Sequence, residues 1–120
     1  MIVVHIGDNI AWRDQILAPA LEGIAAVVST SDPRSDDAAV VVIDCWADQL
    51  YLWLTSLKVS EIPAILVVEE WEVNERMEGW IGQGLVGARI DRHQDPTELR
   101  KALLQAFTDL GIKVEEVGGG

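Results

Sequence analysis

An open, mostly parallel α/β domain of three layers is predicted by two features of this 120-residue sequence. Four short runs rich in Val and Ile show little alternation with polar residues, so they read as strands buried on both faces. Helix-like stretches fall between them in the order β-α-β-β-α-β-α-β-α. Strands alternating with helices point to a parallel sheet between two helical layers.

The first strand is expected at residues 2–6. The first helix starts at Asp8 or Asn9, both good N-caps. Ile10, Ile16, Leu17 and Leu21 follow helical spacing, and Pro19 is expected to kink or end the helix. The second and third strands are expected at 24–28 and 38–43. Little more than Ser31-Asp32-Pro33-Arg34-Ser35-Asp36-Asp37 separates them, so one helix is missing. Such a segment spans roughly 24 Å when extended, barely enough for a parallel return. A hairpin built on Asp-Pro turn chemistry is the alternative. The doubly buried character of both flanking runs favours the parallel return.

A helix over 47–57 places Leu50, Trp53, Leu54 and Leu57 on one stripe. The fourth strand is expected at 62–68. The next helix spans 72–81, with Val73, Met77, Trp80 and Ile81, and closes near Gly82 and Gly84. A weaker strand lies at 85–90. The last helix carries the clearest signals: Asp95 caps it, Pro96 takes its first turn, and Glu98 completes a capping-box pattern. Leu99, Ala102, Leu103, Ala106, Phe107 and Leu110 form its buried face, and Gly111 stops it.

Composition narrows the function classes. Nine Lys and Arg stand against twenty Asp and Glu, a formal net charge of −11. Direct nucleic-acid binding needs a basic face that displaces phosphate counterions, and no basic cluster occurs. Anionic membrane surfaces are disfavoured for the same reason. The single cysteine, Cys45, excludes an internal disulfide and a cysteine-rich zinc site, which fits a cytoplasmic protein. The N-terminus lacks a basic flank and a cleavage site, so no signal peptide is expected. The apolar runs are too short to span a membrane. Residues 1–112 are expected to form the domain, and 113–120, ending in three glycines, a tail or linker.

Ligands in an open α/β sheet bind beyond the carboxyl ends of the strands. Those ends are Gly7-Asp8, Asp44-Cys45-Trp46, Val68-Glu69-Glu70 and Asp91-Arg92. Their order, with Ile62-Pro63 opening the fourth strand and Gly84 and Gly87 before the fifth, resembles a response-regulator receiver domain over residues 1–111. The resemblance implies a flavodoxin-like fold, strand order 2-1-3-4-5, with the second helix shortened or missing. It places the phosphoacceptor at Asp44. It implies magnesium ligands at Asp8, Asp44 and the backbone carbonyl of Trp46.

The sequence departs from that pattern at four positions. Gly7 stands where the first of two paired acids is expected. Val68 stands at the switch Ser or Thr. Asp91 stands at the Lys, with Arg92 the next choice, and the following Pro is absent. A phosphoryl group loses a hydroxyl donor and a charge-assisted contact. One acid fewer weakens magnesium, which favours several oxygen ligands. The expected function is therefore an atypical receiver, or pseudo-receiver. It would act in signalling through contacts with a protein partner, without enzymatic activity and with no cofactor beyond weak magnesium.

Three other functions remain open: a phospho-receiver using Asp44 in a degenerate pocket, a small α/β enzyme or metal- or ligand-binding domain using an acidic crevice of Asp8, Asp44, Glu69 and Asp91, and a structural oligomerisation domain. Asp44 also reads simply as a strand terminator that caps the next helix, and Asp8 as a helix cap. Receivers often dimerise through their last two helices and last strand, a face that here carries Trp71 and Leu104, so a homodimer is expected. Glu69, Glu70, Glu72, Glu75 and Glu78 form either an acidic docking face or a solvated helix face. Trp53 and Trp80 are assigned to the core by their spacing, and Trp46 and Trp71 to the surface. His5 reads as a satisfied core histidine. Cys45 with His93 as base is disfavoured by neighbouring acids. Gly82, Gly84 and Gly87 complete a bare G-x-G-x-x-G, but before a strand, where it has no dinucleotide role.

Overall fold

The computed structural model describes residues 1–68 and 75–114. Five strands form one parallel sheet: β1 (Ile2–Ile6), β2 (Ala26–Val28), β3 (Ala38–Asp44), β4 (Ala64–Val68) and β5 (Ala88–Asp91), in the order β2-β1-β3-β4-β5. The expected topology is therefore observed. β2 and β3 both run parallel to β1, which excludes the hairpin. A 3₁₀ turn, Pro33–Asp37, stands where a crossover helix is usual, and Asp32 caps it by accepting the Arg34 N–H at 2.8 Å.

Strand ends shift where the backbone cannot enter the ladder. Gly23 and Ile24 form the turn out of the first helix, so β2 begins at Ala26. Pro63 has no N–H to give, and β4 begins after it, although its carbonyl still accepts the Val41 N–H at 3.0 Å. Leu85 and Val86 are buried but precede β5.

The first helical stretch comprises α1 (Ile10–Trp12), a π-helical segment (Arg13–Leu17) and α2 (Ala18–Ala20). Asn9 rather than Asp8 caps it, its Oδ1 accepting the Trp12 N–H at 3.0 Å. The π register, in which the Ala18 N–H bonds the Arg13 carbonyl, leads into Pro19, one residue before the helix ends. Three further helices follow: α3 (Leu50–Val59), α4 (Glu75–Gly82) and α5 (Pro96–Asp109). The expected start of α4 at residue 72 lies outside the described residues.

Two apolar layers sandwich the sheet. Val3, Val40, Val42, Ile65, Val67 and Ile90 face the first helical stretch and α5, which contributes Leu99, Leu103 and Phe107. Val4, Ile6, Val41, Ile43, Leu66 and Val68 face α3 and its neighbours, where only Leu54 and Leu57 of α3 are buried. Both faces of each central strand are therefore covered, which explains why the strands read as continuous apolar runs. Trp53, expected in the core, is 37% exposed. Among the described residues, the stretch between β2 and β3 holds only the Pro33–Asp37 turn, so no crossover helix covers that flank of α3. No helix among the described residues is long and apolar enough to cross a membrane.

Candidate functional site

The site lies where β1, β3 and β5 end. Asp44 closes β3 and is only 4% exposed. A buried carboxylate needs donors, and its Oδ1 has two. The Trp46 backbone N–H donates at 2.8 Å, and Arg92 Nη2 donates at 2.6 Å. Arg92 follows β5 directly, and its own N–H bonds the Val68 carbonyl at 3.0 Å. Trp12 fixes the other side of that turn, its indole N–H donating to the Arg92 carbonyl at 3.1 Å. The guanidinium also lies against Cys45, with Nη2 3.8 Å from the buried thiol sulfur.

The two neighbours at the end of β5 divide the work. Asp91 pairs with Val68 across the ladder, and its carboxylate accepts the His93 N–H at 2.8 Å. Arg92 is the cation that reaches Asp44. Val68 is buried and brings only methyl groups.

Gly7 is shaped by this corner. A Cβ there would stand 2.8 Å from Asp44 Cβ and 3.4 Å from the His5 ring. The Asp44 side chain and the His5 ring thus occupy the space that a Gly7 side chain would need. Asp8 and Trp46 are exposed. Among the described residues no three His, Cys, Asp or Glu side chains converge in a way that could hold a metal ion. With Gly7 lacking a side chain and Asp44 Oδ1 taken by two N–H donors, the residues do not fit an oxygen cage for magnesium.

His5 departs from expectation. It is 3% exposed and stacks at 5.7 Å on Trp12, yet neither ring nitrogen has a partner in the structure. Burial holds its pKa down at about 4, reinforced by the Arg13 charge and opposed by Asp44 and Asp14. The ring lines a polar cavity of about 320 Å³ together with Asp8, Arg13, Ser29, Thr30 and Asp48. The sequence does not reveal this cavity, because its walls come from β1, the first helical stretch, α3 and the loops after β1, β2 and β3.

Leu104, on α5, is half-buried against the core, and the Trp80 and Tyr51 rings lie 6.3 Å apart. Trp46 is 66% exposed, as its place at an element end suggested. Glu69, Glu70, Trp71 and Glu72 lie outside the described residues.

No family model matches the sequence, and no curated protein matches it either. Solved structures do. A response regulator receiver protein from Burkholderia phymatum aligns over 94% of this chain and 97% of its own, with 13% identity and a TM-score of 0.66. The receiver domain of a sensor histidine kinase from Pseudomonas aeruginosa, which has magnesium in its active-site cleft, aligns over 92% and 97%, with 14% identity and a TM-score of 0.64. The response regulator ChrA of a heme-sensing two-component system aligns over 90% of this chain but 57% of its own, with 18% identity and a TM-score of 0.62. The chain has the flavodoxin-like fold of response-regulator receiver domains.

Proposed function

We propose that this chain is an atypical receiver that signals through protein contacts without a phospho-switch at Asp44. The observation that supports it is the Arg92–Asp44 ion pair. Phosphoryl transfer needs a nucleophilic oxygen in line with the phosphorus and cations around the departing charge. Here the carboxylate is almost fully buried, and its nearest cation is covalently part of the chain. A permanent internal cation removes the need for magnesium at this corner. Val68 offers no hydroxyl to a phosphoryl oxygen. The domain would work in the cytoplasm as a non-enzymatic regulatory module that takes no cofactor. Self-association would use the face of α4, β5 and α5 that carries Leu104.

The test is intact-mass measurement after incubation with magnesium and acetyl phosphate, beside a receiver known to be labelled and the Asp44→Asn variant. The expected result is no phosphate-sized gain in the wild-type chain. A stable gain that disappears in Asp44→Asn would establish a working phospho-receiver instead.

A further inference from the structure

We propose that a groove beside α3 binds a basic amphipathic helix of a partner protein, in the place left by the missing crossover helix. The starting point is chain length. A parallel crossover ordinarily takes a dozen or more residues and a helix. Here the chain passes from Val28 to Ala38 with only the Pro33–Asp37 turn. The α3 side of the sheet therefore lacks one helix among the described residues.

The vacancy has an apolar lining. Val4, Ile6 and Val41 of the sheet form its floor, and Trp53 and Leu57 of α3 form a wall. Its volume is about 160 Å³. An apolar cavity of roughly 150 Å³ accepts a benzene ring, so this one suits a single Phe-, Leu- or Met-sized anchor. α3 itself points the same way. Its sequence is apolar on more than one face, and only Leu54 and Leu57 are buried. A helix with two apolar faces is one that packs against two neighbours.

Charge sets the chemistry of the occupant. Asp36 and Asp37 are exposed beside the lining residues Ser35 and Ala38, and exposed Glu61 precedes the lining residue Ile62. The nearby cations are engaged: Arg34 closes on Asp32 at 3.1 Å, and Lys58 donates to the Gln83 carbonyl at 2.7 Å. The polar cavity adjoins the groove, sharing Ile6, Thr30 and Trp53. Its charged walls are Asp8, Asp48 and Arg13, and Arg13 is held by Asp14 at 3.1 Å. Buried His5 lines the same cavity with both ring nitrogens unpartnered. A neutral imidazole keeps one lone pair to accept a proton donor. An apolar anchor in the groove and a Lys or Arg reaching Asp8, Asp48 and His5 would satisfy both compartments. This is helix-in-groove recognition with electrostatic complementarity.

The inference rests on the reading of this chain as a protein-contact module and names the class of partner. Its test uses the ¹⁵N-labelled full chain and three synthetic peptides. One is an amphipathic helix with Leu and Phe on one face and Lys beside them. The second replaces every Lys by Glu. The third scrambles the first. The expected result is saturable shifts of the Thr30, Ser35 and Ala38 amides and the Trp53 indole with the first peptide alone. Ala38→Leu, which fills the groove, should weaken binding tenfold or more. Asp8→Asn with Asp48→Asn, both exposed positions, should do so as well and covers the case in which Ala38→Leu does not fold. Equal binding of the scrambled peptide, shifts spread over the acidic surface, or unchanged affinity in the variants overturns the proposal. So does concentration-dependent broadening of the groove signals without peptide, which would assign the groove to a second copy. Phosphate on Asp44 would overturn the preceding reading without moving these shifts, so the two failures are distinguishable.

Discussion

Arg92 Nη2 stands 2.6 Å from Asp44 Oδ1, joining two residues that lie 48 positions apart in the chain. The contact ties the end of β5 to the end of β3. Both side chains are largely withdrawn from water, at 14% and 6% exposure. Removing Arg92 leaves the Asp44 carboxylate buried with no cation from that ion pair, and breaking a buried pair costs about 3–5 kcal/mol.

Arg92→Met should therefore lower the unfolding free energy by roughly 3 kcal/mol, read from urea denaturation. Asp44→Leu should destabilise as well, since the buried guanidinium then loses its 2.6 Å carboxylate partner. The double variant should be far less damaged than the two single losses combined, because neither charge is then left alone. A loss under about 0.5 kcal/mol for Arg92→Met is the range of an ordinary surface change and would mean that the pair is open in solution.

Gly7 yields the second prediction. The missing Cβ sits 2.8 Å from Asp44 Cβ, a branch point with no freedom to swing aside. Gly7→Ala should cost about 1–3 kcal/mol, as overpacking of a tight site does. Gly7→Asp restores an acidic pair on paper, with Asp8. It should nonetheless lose stability and gain no magnesium-dependent rise in melting temperature. A stable Gly7→Asp variant with such a rise would show that the β1 turn can move away from Asp44.

Much of this was legible in the sequence, and the residues show why. Doubly buried strands need mostly apolar side chains, so 2–6, 38–43 and 62–68 announce themselves, the last with two residues more than the observed strand. Asp95, Pro96 and Gly111 mark the last helix because each meets a local backbone demand at a helix end. Asp44 was visible as the polar residue that breaks a run of Val and Ile. What stayed hidden depends on distant partners. Trp53 has helical spacing with Leu50 and Leu57, and periodicity does not report that the neighbouring helix is absent. His5 sits in a strand of core residues, and nothing local says that its ring faces a cavity. Arg92 lies one position past the strand, where the pleat no longer fixes direction, so its reach to Asp44 needs the fold.

The cap at α5 provides a control on this local reasoning. Asp95 Oδ1 accepts the Glu98 N–H at 2.8 Å. Asp95→Ala should cost about 1 kcal/mol, the usual value of an N-cap. Asp95→Asn should cost much less, since the amide oxygen still accepts. Equal losses for both would show that charge rather than the hydrogen bond carries the effect.

His5 gives stability a pH dependence whose sign is fixed. Its pKa falls from an ordinary 6.5 to about 4 on folding, chiefly through burial. Between those values the unfolded chain takes up a proton that the folded chain refuses. The His5 contribution is thus complete above pH 6.5 and shrinks as pH falls toward 4. The full span corresponds to about 3 kcal/mol, and the step from pH 7 to pH 5 to about 2 kcal/mol. Carboxylates titrate in the same range, so the informative quantity is the difference from a variant. His5→Met keeps an apolar side chain of similar bulk in the layer beside Trp12 and removes the titrating ring. Its urea-derived stability should fall about 2 kcal/mol less than that of wild type between pH 7 and 5. Parallel pH profiles would mean that the imidazole protonates in the folded state as easily as in water. The ring itself would then be hydrated in the folded chain rather than shielded from water at the cavity wall.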